Sequence, residues 1–301
     1  MADGAARPDG QGLAIVVNAS AGSDDGDTQT REIRASLPAA TLVFASDDLP
    51  LDAALDRSEA APALGVLGGD GSINAATERA VASGRPLAVF PGGTLNHFAR
   101  DAGIAKSDDT ITAVQRGELM AVDVGLIDGR PFLNTASFGA YADLVDEREK
   151  LEGRIGKWAA LVIATFVVLR RAEPTKVELN GETRRVWSIF IGNCAYEPPG
   201  LTPRSRARLD DGLFDVRYLD GTEARSRSRV LLSLVSGRLA RSHVYKRMLV
   251  KSLDIRSFDG PLRLARDGET FDGGTDVRIA KHPERLSVYA PGGASDDIGG
   301  A

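Results

Sequence analysis

The chain has 301 residues, of which 43% are hydrophobic and 26% charged, and a formal net charge of −5. At about 150 residues per domain, this length predicts two domains with sizeable cores, and the composition is that of a globular protein rather than a disordered one. The acidic balance argues against a nucleic-acid partner. The only cysteine in the sequence, Cys194, excludes an internal disulfide.

The first 120 residues alternate short apolar runs with helical patterns. Apolar runs bounded by Gly, Pro or Asp predict buried strands at 13–17, 41–45, 63–67 and 86–90. Helical patterns lie between them, at 28–37, 51–60 and 72–83. This alternation predicts a parallel sheet with right-handed crossovers. Ligands of such sheets bind at the carboxyl ends of the strands.

The pattern changes near Asp123 to short segments separated by turns. Alternating segments, many followed by Asp-Gly or Asn-Gly, predict an antiparallel sandwich with strands at 122–127, 130–138, 176–181, 184–192, 213–219, 252–258, 262–266, 275–280 and 286–290. Two helical patterns interrupt it, at 141–171 and 223–244. We predict an α/β domain at 11–122, a β-sandwich domain at 123–291, and flexible ends at 1–10 and 292–301.

Polar or glycine-rich turns follow three of the predicted parallel strands. Backbone N–H groups at a helix N-terminus, unobstructed by Cβ atoms, can surround phosphate oxygens. These turns therefore predict a nucleotide site built from Asn18, Ser20, Gly22, Gly68, Gly69, Gly71, Ser72, Gly93, Thr94 and Asn96. Asp70 would repel phosphate unless a divalent cation lay between them, so we predict that it binds Mg²⁺. A tight turn is the alternative explanation of Gly-Gly-Asp-Gly.

Six motifs, in order along nearly the whole chain, resemble those of the diacylglycerol kinase catalytic domain family. They are NASAG (18–22), GGDGSINAATE (68–78), PGGTLNHFAR (91–100), DVG (123–125), DDGLFD (210–215) and DGE (267–269). The resemblance implies an NAD-kinase-like α/β domain followed by an antiparallel β-sandwich that receives the lipid. It also implies ATP-dependent phosphorylation of a lipid hydroxyl, with diacylglycerol as the default substrate.

The resemblance also implies roles for individual residues. Asp70 and Asp123 match carboxylates of a catalytic magnesium network, and Asp267 matches a general base with Glu269 beside it. A structural Mg²⁺ site is implied for Asp210, Asp211 and Asp215. The implied cofactors are ATP and Mg²⁺. From the residues alone, both Asp-Gly motifs could equally be plain turns.

Departures from the family pattern leave alternatives open. In the first loop, Ala19 stands where the family has Pro, and no Lys or Arg follows Gly22. His97 replaces an Asp of the family pattern. Its side chain either faces solvent or alters contacts near the phosphates. The alternatives are an NAD-kinase-like enzyme acting on a soluble hydroxyl and a non-catalytic nucleotide- or lipid-binding relative.

Two segments bear on membrane contact. The run at 158–169 has twelve uncharged residues, too few for the roughly 20 that span a bilayer, but 151–169 could form an apolar helix at a lipid surface. Residues 200–260 carry 13 basic and 7 acidic side chains, which suit anionic headgroups or a solvated helix face. With an N-terminus too polar for a signal peptide, we expect a cytoplasmic protein in transient peripheral contact with a membrane. A homodimer is among the assemblies that the sequence allows.

Overall fold

The computed structural model of the chain describes residues 6–18, 24–93, 96–139, 173–198, 205–223, 226–235, 242–292 and 294–295. The chain divides into two compact units. One unit comprises residues 1–124 and 282–301, and the other comprises residues 125–281.

The first unit is an α/β structure. Its strands are β1 Leu13–Asn18, β2 Thr41–Ala45, β3 Ala63–Gly68, β4 Leu87–Pro91, β5 Glu118–Val122, β19 Leu286–Tyr289 and β20 Ala294–Ser295. Its described helices are α1 Asp24–Ser36, α2 Leu51–Arg57, α3 Asp70–Ser83, α4 His97–Asp101 and α5 Ser107–Arg116. The strands form one sheet in the order β2-β1-β3-β4-β19-β5-β20.

The predicted parallel arrangement of the first four strands is confirmed. β1 pairs in parallel with β2 and β3, and β3 pairs in parallel with β4. β3 and β4 are buried along their whole lengths, as continuous apolar runs in a sheet covered on both faces should be. α3 buries the face that carries Ile73, Ala76 and Ala80, and it ends at Gly84, whose left-handed conformation suits glycine.

The second unit is largely antiparallel. Its strands are β6 Gly125–Ile127, β7 Arg130–Phe132, β8 Thr135–Gly139, β9 Thr175–Leu179, β10 Glu182–Asn193, β11 Tyr196–Glu197, β12 Ser205–Arg206, β13 Phe214–Asp220, β14 Tyr245–Val250, β15 Ser252–Ser257, β16 Arg263–Arg266, β17 Glu269–Asp272 and β18 Asp276–Lys281, and its one described helix is α6 Ser226–Val235. Nine strands follow the order β17-β16-β8-β10-β9-β15-β18-β6-β7, and β13 joins β10 to β14.

This second sheet curls around a single core. Phe132 on β7 and Leu264 on β16 come from opposite ends of the strand order, yet both belong to one buried apolar cluster. β10 makes the curl continuous because its first half pairs with β9 and its second half pairs with β8. The sheet therefore encloses its own apolar face, as the predicted sandwich requires.

The ends of the chain differ from the sequence-based domain boundaries. The segment 286–290, assigned to the sandwich, forms β19 and pairs in parallel with β4 in the first unit. Ala6, assigned to a flexible end, is buried, and its N–H donates to the Tyr289 hydroxyl at 2.7 Å. A strand of ordinary apolar pattern does not show which sheet it will join.

The second unit also departs from the predicted elements. β14 and β17 are strands that the pattern did not predict. Of the helix predicted at 223–244, the described residues show α6 over Ser226–Val235, whereas residues 223 and 242–244 are not helical. The helix predicted at 141–171 lies outside the described residues.

Candidate active site

The carboxyl ends of β1, β3 and β4, with the described residues that follow β3 and β4, meet at one edge of the first unit's sheet. Asn18, at the end of β1, donates from Nδ2 to the Ser72 hydroxyl at 2.7 Å. Gly92, after β4, donates its N–H to the carbonyl of Gly68, at the end of β3, at 2.9 Å. The parallel order of the strands predicts this meeting, because it brings the three carboxyl ends to one edge.

Glycine is needed where the turns after β3 and β4 touch. A Cβ atom added to Gly93 would lie 2.8 Å from Gly69 Cα, and one added to Gly92 would lie 3.2 Å from Gly68 Cα. Any larger residue would push the two backbones apart. Gly71 is different, since a Cβ there would meet nothing within 4 Å. Its open side is where a ligand could approach the first turn of α3.

Side chains fix the shape of the turn after β4. Asn96 has a φ of 45°, accepts the Gly93 N–H at Oδ1 and donates from Nδ2 to the Gly93 carbonyl. Asp70 Oδ1 accepts the N–H of His97 at 3.1 Å. Asp70 therefore links the start of α3 to the start of α4. The predicted nucleotide residues Ser20, Gly22 and Thr94 lie outside the described residues.

Asp123 does not join this group within the first unit. β19 is parallel to β4, with Val288 opposite Leu87, and antiparallel to β5, with Leu286 opposite Val122. The carboxyl end of β5 therefore lies at the amino edge of the sheet. At about 3.3 Å per residue, Asp123 and Asp70 lie on the order of 20 Å apart.

This separation corrects the expectation that Asp70 and Asp123 hold the same magnesium ion. Ligands of one Mg²⁺ lie about 2.1 Å from it. Asp123 is 6% exposed, and its Oδ1 accepts a hydrogen bond from Arg285 Nε at 3.0 Å. Its structural partner in the first unit is therefore a guanidinium.

In the second unit, Asp267 occupies a hairpin turn between β16 and β17. Asp267 and Gly268 both have positive φ, 43° and 91°, as a two-residue turn of type I′ requires. The carboxylate accepts three backbone N–H bonds at 2.7–2.8 Å, from Leu133, Asn134 and Thr135. Burial raises the pKa of Asp267, and these three donors oppose the rise. Glu269 is exposed at the start of β17.

The three carboxylates predicted to share a structural Mg²⁺ have separate roles. Asp210 pairs with Arg208 at 3.0 Å on the surface. Asp211 accepts the N–H groups of Ala195 and Leu213, each at 2.9 Å.

Asp215 is completely buried between two guanidiniums. Its oxygens accept hydrogen bonds from Arg217 and Arg247 at 2.7–3.1 Å and from the Tyr196 N–H at 3.0 Å. The two guanidiniums already balance the charge of this carboxylate, which disfavours a third cation beside it. Metal binding by Asp215 stays a prediction. Burial alone would raise the pKa of Asp215, but the bonds from Arg217, Arg247 and Tyr196 outweigh it and hold the pKa below its usual range.

The basic stretch at 200–260 is only partly a surface feature. Arg206 and Arg217 are buried, and Arg247 is half-buried. These three bind carbonyls, a side-chain amide or Asp215. The apolar segment 151–169 lies outside the described residues. No helix in the part of the chain that the structure describes is long and apolar enough to cross a membrane.

The sequence did not single out Arg206, which lies behind the Asp267 turn. Its guanidinium donates to the Leu133 carbonyl and to Asn134 Oδ1. In the sequence it is one of three arginines at 204, 206 and 208. Only the fold distinguishes it from its exposed neighbour Arg208.

Comparisons with known proteins point to one family. The diacylglycerol kinase catalytic domain family matches residues 12–127. A "Probable lipid kinase YegS-like" of Pseudomonas aeruginosa (strain UCBPP-PA14) is 30% identical over 237 residues, which are 75% of this chain and 76% of that protein. A "Diacylglycerol kinase" of Bacillus subtilis (strain 168) is 32% identical over 163 residues, 50% of this chain and 53% of that protein.

Solved structures confirm the predicted fold class. A diacylglycerol kinase from Bacillus anthracis str. Sterne matches with a TM-score of 0.65 at 16% identity, covering 93% of this chain and 97% of that one. An NAD kinase from Archaeoglobus fulgidus in complex with ATP matches with a TM-score of 0.51 at 12% identity, covering 93% and 94%. At these identities the likeness concerns the fold. The family match over residues 12–127 and the Pseudomonas relative at 30% identity show that the chain belongs to the diacylglycerol kinase catalytic domain family, beside the YegS-like lipid kinases.

Proposed function

We propose that the chain transfers the γ-phosphate of ATP to a hydroxyl group of diacylglycerol or a related lipid. The observation that carries this proposal is the meeting of Asn18, at the end of β1, with the glycine-rich turns after β3 and β4 at one sheet edge, at the N-terminus of α3. Family membership supplies the lipid as acceptor. In this reaction, positioning and charge neutralisation provide most of the catalysis, and the residues available here are suited to both.

The first turn of α3 is the proposed phosphate site. α3 has 14 residues and begins at Asp70 after Gly69, which caps it without a side-chain hydrogen bond. The first N–H groups of a helix have no partner within the helix, and its dipole attracts anions. Ser72 is held by Asn18, so the hydroxyl and the N–H groups of this turn are fixed before a nucleotide arrives.

Asp70 fits the role of a Mg²⁺ ligand at this site. Carboxylate oxygens are the ligands that Mg²⁺ prefers, and Asp70 makes no ion pair with any described residue. One of its oxygens is occupied by the His97 N–H, which keeps the side chain in place. When bound, Mg²⁺ would offset the charge of the phosphates.

Asp267 is the proposed general base in the second unit. A base must be held still and be deprotonated near the working pH. The three N–H donors from 133–135 hold the carboxylate, and burial brings its pKa upward from the usual range of an aspartate. The attacking lipid hydroxyl would pass its proton to this carboxylate. Peripheral contact with a membrane, where such a lipid resides, is part of the proposal.

The experiment that tests this function uses the full chain, labelled ATP, Mg²⁺ and a total lipid extract. Identification of phosphatidic acid or another phosphorylated lipid among the products would support the proposal. A parallel reaction with NAD as acceptor tests the soluble-hydroxyl alternative. Phosphorylation of NAD but of no lipid, or of neither acceptor, would count against a lipid kinase.

Gly71→Ala should separate ligand binding from folding. Alanine is favoured over glycine in a helix by about 0.5–1 kcal/mol, and the new methyl group meets no atom of the chain, so thermal stability should be kept or raised. ATP affinity, measured by titration calorimetry with Mg²⁺, should fall by about tenfold or more if the phosphates approach this turn. Gly26→Ala in α1, where a Cβ also meets nothing within 4 Å, is the matched control. Unchanged affinity in Gly71→Ala would contradict the phosphate site.

Asp70→Asn should weaken the dependence of nucleotide binding on Mg²⁺. The asparagine oxygen can still accept the His97 N–H, so the link between α3 and α4 should persist and the unfolding midpoint should stay near that of the wild type. Loss of the charge removes the preferred metal ligand. Titrations of ATP with and without Mg²⁺ should therefore differ less than in the wild type. An undiminished Mg²⁺ effect would remove Asp70 from this role.

A further inference from the structure

A second layer of hydrogen bonds lies behind the residues that hold Asp267. The segment Leu133–Thr135 points three N–H groups at the Asp267 carboxylate. From its other side the same segment is bound by Arg206. Arg206 Nη1 donates to the Leu133 carbonyl at 2.6 Å, and Nη2 donates to Asn134 Oδ1 at 2.8 Å.

Arg206 is itself firmly held. It lies on β12 and is 5% exposed. Its Nη1 also donates to the Asn193 carbonyl at 3.1 Å, and its guanidinium carbon lies 5.0 Å from the centre of the Tyr196 ring. Asn193 in turn donates from Nδ2 to the Leu133 carbonyl at 3.0 Å. A planar guanidinium fixed on several sides has one orientation available to it.

We propose that Arg206 is a positioning residue for phosphoryl transfer, fixing the Leu133–Thr135 N–H groups in the arrangement that orients the Asp267 carboxylate. The proposal rests on the function proposed above, in which Asp267 is the base. Arg206 binds the 133–135 segment behind the carboxylate, and we assign it no contact with the substrate.

The charge of Arg206 gives this role a measurable signature. Burial raises the pKa of Asp267, and the positive charge of Arg206 opposes that rise. Besides Arg206, the elements around Asp267 carry Arg130 on β7, Arg263 and Arg266 on β16, and Glu269 and Asp272 on β17. Arg266 donates to the Pro131 carbonyl at 2.8 Å, and Glu269 is exposed. Removal of Arg206 should therefore shift the titration of Asp267 to higher pH.

The test compares Arg206→Met and Arg206→Lys with the wild type, and Arg278→Met serves as a control because its side chain is 76% exposed. Three quantities are measured for each protein: kcat and KM for ATP with the lipid acceptor, the acidic limb of the pH–rate profile, and the titration midpoint of Asp267. The midpoint comes from ¹³C NMR of carboxyl-labelled aspartate, with the signal assigned by its loss in Asp267→Asn.

Arg206→Met should lower kcat by about 10- to 100-fold, because small displacements of a catalytic group have effects of this size. The KM for ATP should stay within about twofold, since nucleotide binding is assigned to the first unit. Both the acidic limb and the Asp267 midpoint should move to higher pH. Arg206→Lys keeps the positive charge, so the Asp267 midpoint should stay nearer that of the wild type. Its kcat should stay low, because an ammonium group cannot reproduce the planar bidentate contact of the guanidinium.

The inference is overturned if Arg206→Met leaves the Asp267 midpoint unmoved, whatever its effect on kcat, because a merely structural role predicts that result. It is also overturned if Arg206→Lys keeps full kcat, and this variant decides the matter if Arg206→Met does not fold. A wild-type protein that phosphorylates no lipid would refute the proposed function instead. The NMR midpoints would then still decide whether Arg206 acts on Asp267.

Discussion

Asp215→Asn is expected to lower the free energy of unfolding by about 3–5 kcal/mol at neutral pH, the loss typical of breaking one side of a buried ion pair. Asp215 and Arg217 are both completely buried, so the substitution leaves a guanidinium charge without its counter-charge. The new amide group would also point a donor at the donors of Arg217 and Arg247. Chemical denaturation monitored by circular dichroism measures the loss.

The pH dependence of this loss has a definite sign. The folded-state pKa of Asp215 is lowered, so its contribution to stability is present above the unfolded-state pKa, about 3.9 for aspartate. The contribution disappears as the pH falls through the lower folded-state value. The stability difference between wild type and Asp215→Asn should therefore be full at neutral pH and shrink in acid.

Two further variants make the result interpretable. Asp276→Asn removes a carboxylate from an exposed pair with Arg256 and should change stability little, because exposed pairs contribute little. Arg247→Met leaves Asp215 paired with Arg217 and should cost less than Asp215→Asn. A loss below about 1 kcal/mol in Asp215→Asn would contradict the buried pair.

The strands of the first unit could be predicted from the sequence for a physical reason. β1, β3 and β4 are short apolar runs followed directly by Gly or polar residues, so local pattern and final burial coincide there. The Asp-Gly hairpin at 267–268 is equally local, because positive φ at both positions favours those residues. Features that depend only on a few adjacent residues can therefore be predicted from a single sequence.

Strand β14 could not be predicted, because its burial depends on a residue of another strand. β14 carries Lys246 and Arg247 and does not look like a buried strand, yet Arg247 is accommodated because Asp215 on β13 pairs with it. The sequence did hold one overlooked signal. Asp215 and Arg217 are two apart, so on a strand they share a face and can pair.

Asp123 and Arg206 show a second limit, since their surroundings depend on contacts far along the chain. Asp123 follows a strand, like the other predicted ligands, but β5 runs antiparallel to β19, which places that strand end at the opposite edge of the sheet. The 133–135 segment and Asp267 lie more than 60 residues from Arg206 in the sequence, one on each side. The role of Arg206 can be recognised only when these two are folded against each other. Motif order identified the family without fixing these neighbours.

The hydrogen bonds of Asp267 change what its replacement should do to folding. From the sequence alone, Asp267→Asn should leave folding nearly intact, because asparagine also tolerates positive φ. In the structure, Oδ1 accepts from Asn134 and Thr135 while Oδ2 accepts from Leu133. The asparagine oxygen can keep two of these bonds, but its NH₂ group would face the third N–H. We therefore expect a stability loss of about 1–3 kcal/mol, the cost of one unsatisfied buried donor.

Even when fully folded, Asp267→Asn should phosphorylate lipid with a kcat about 10² to 10⁴ times lower than the wild type. The reason is that the amide cannot take the proton of the attacking hydroxyl. Rates are compared at saturating lipid, at a temperature where denaturation curves show both proteins fully folded, so that lost stability does not count as lost catalysis. ATP affinity should stay close to that of the wild type, since the proposed phosphate site belongs to the first unit. Asp272→Asn, an exposed residue on the same hairpin, should retain full turnover. If Asp267→Asn keeps half of the wild-type rate while folded, Asp267 is an anchor for the 133–135 segment and the base must be sought elsewhere.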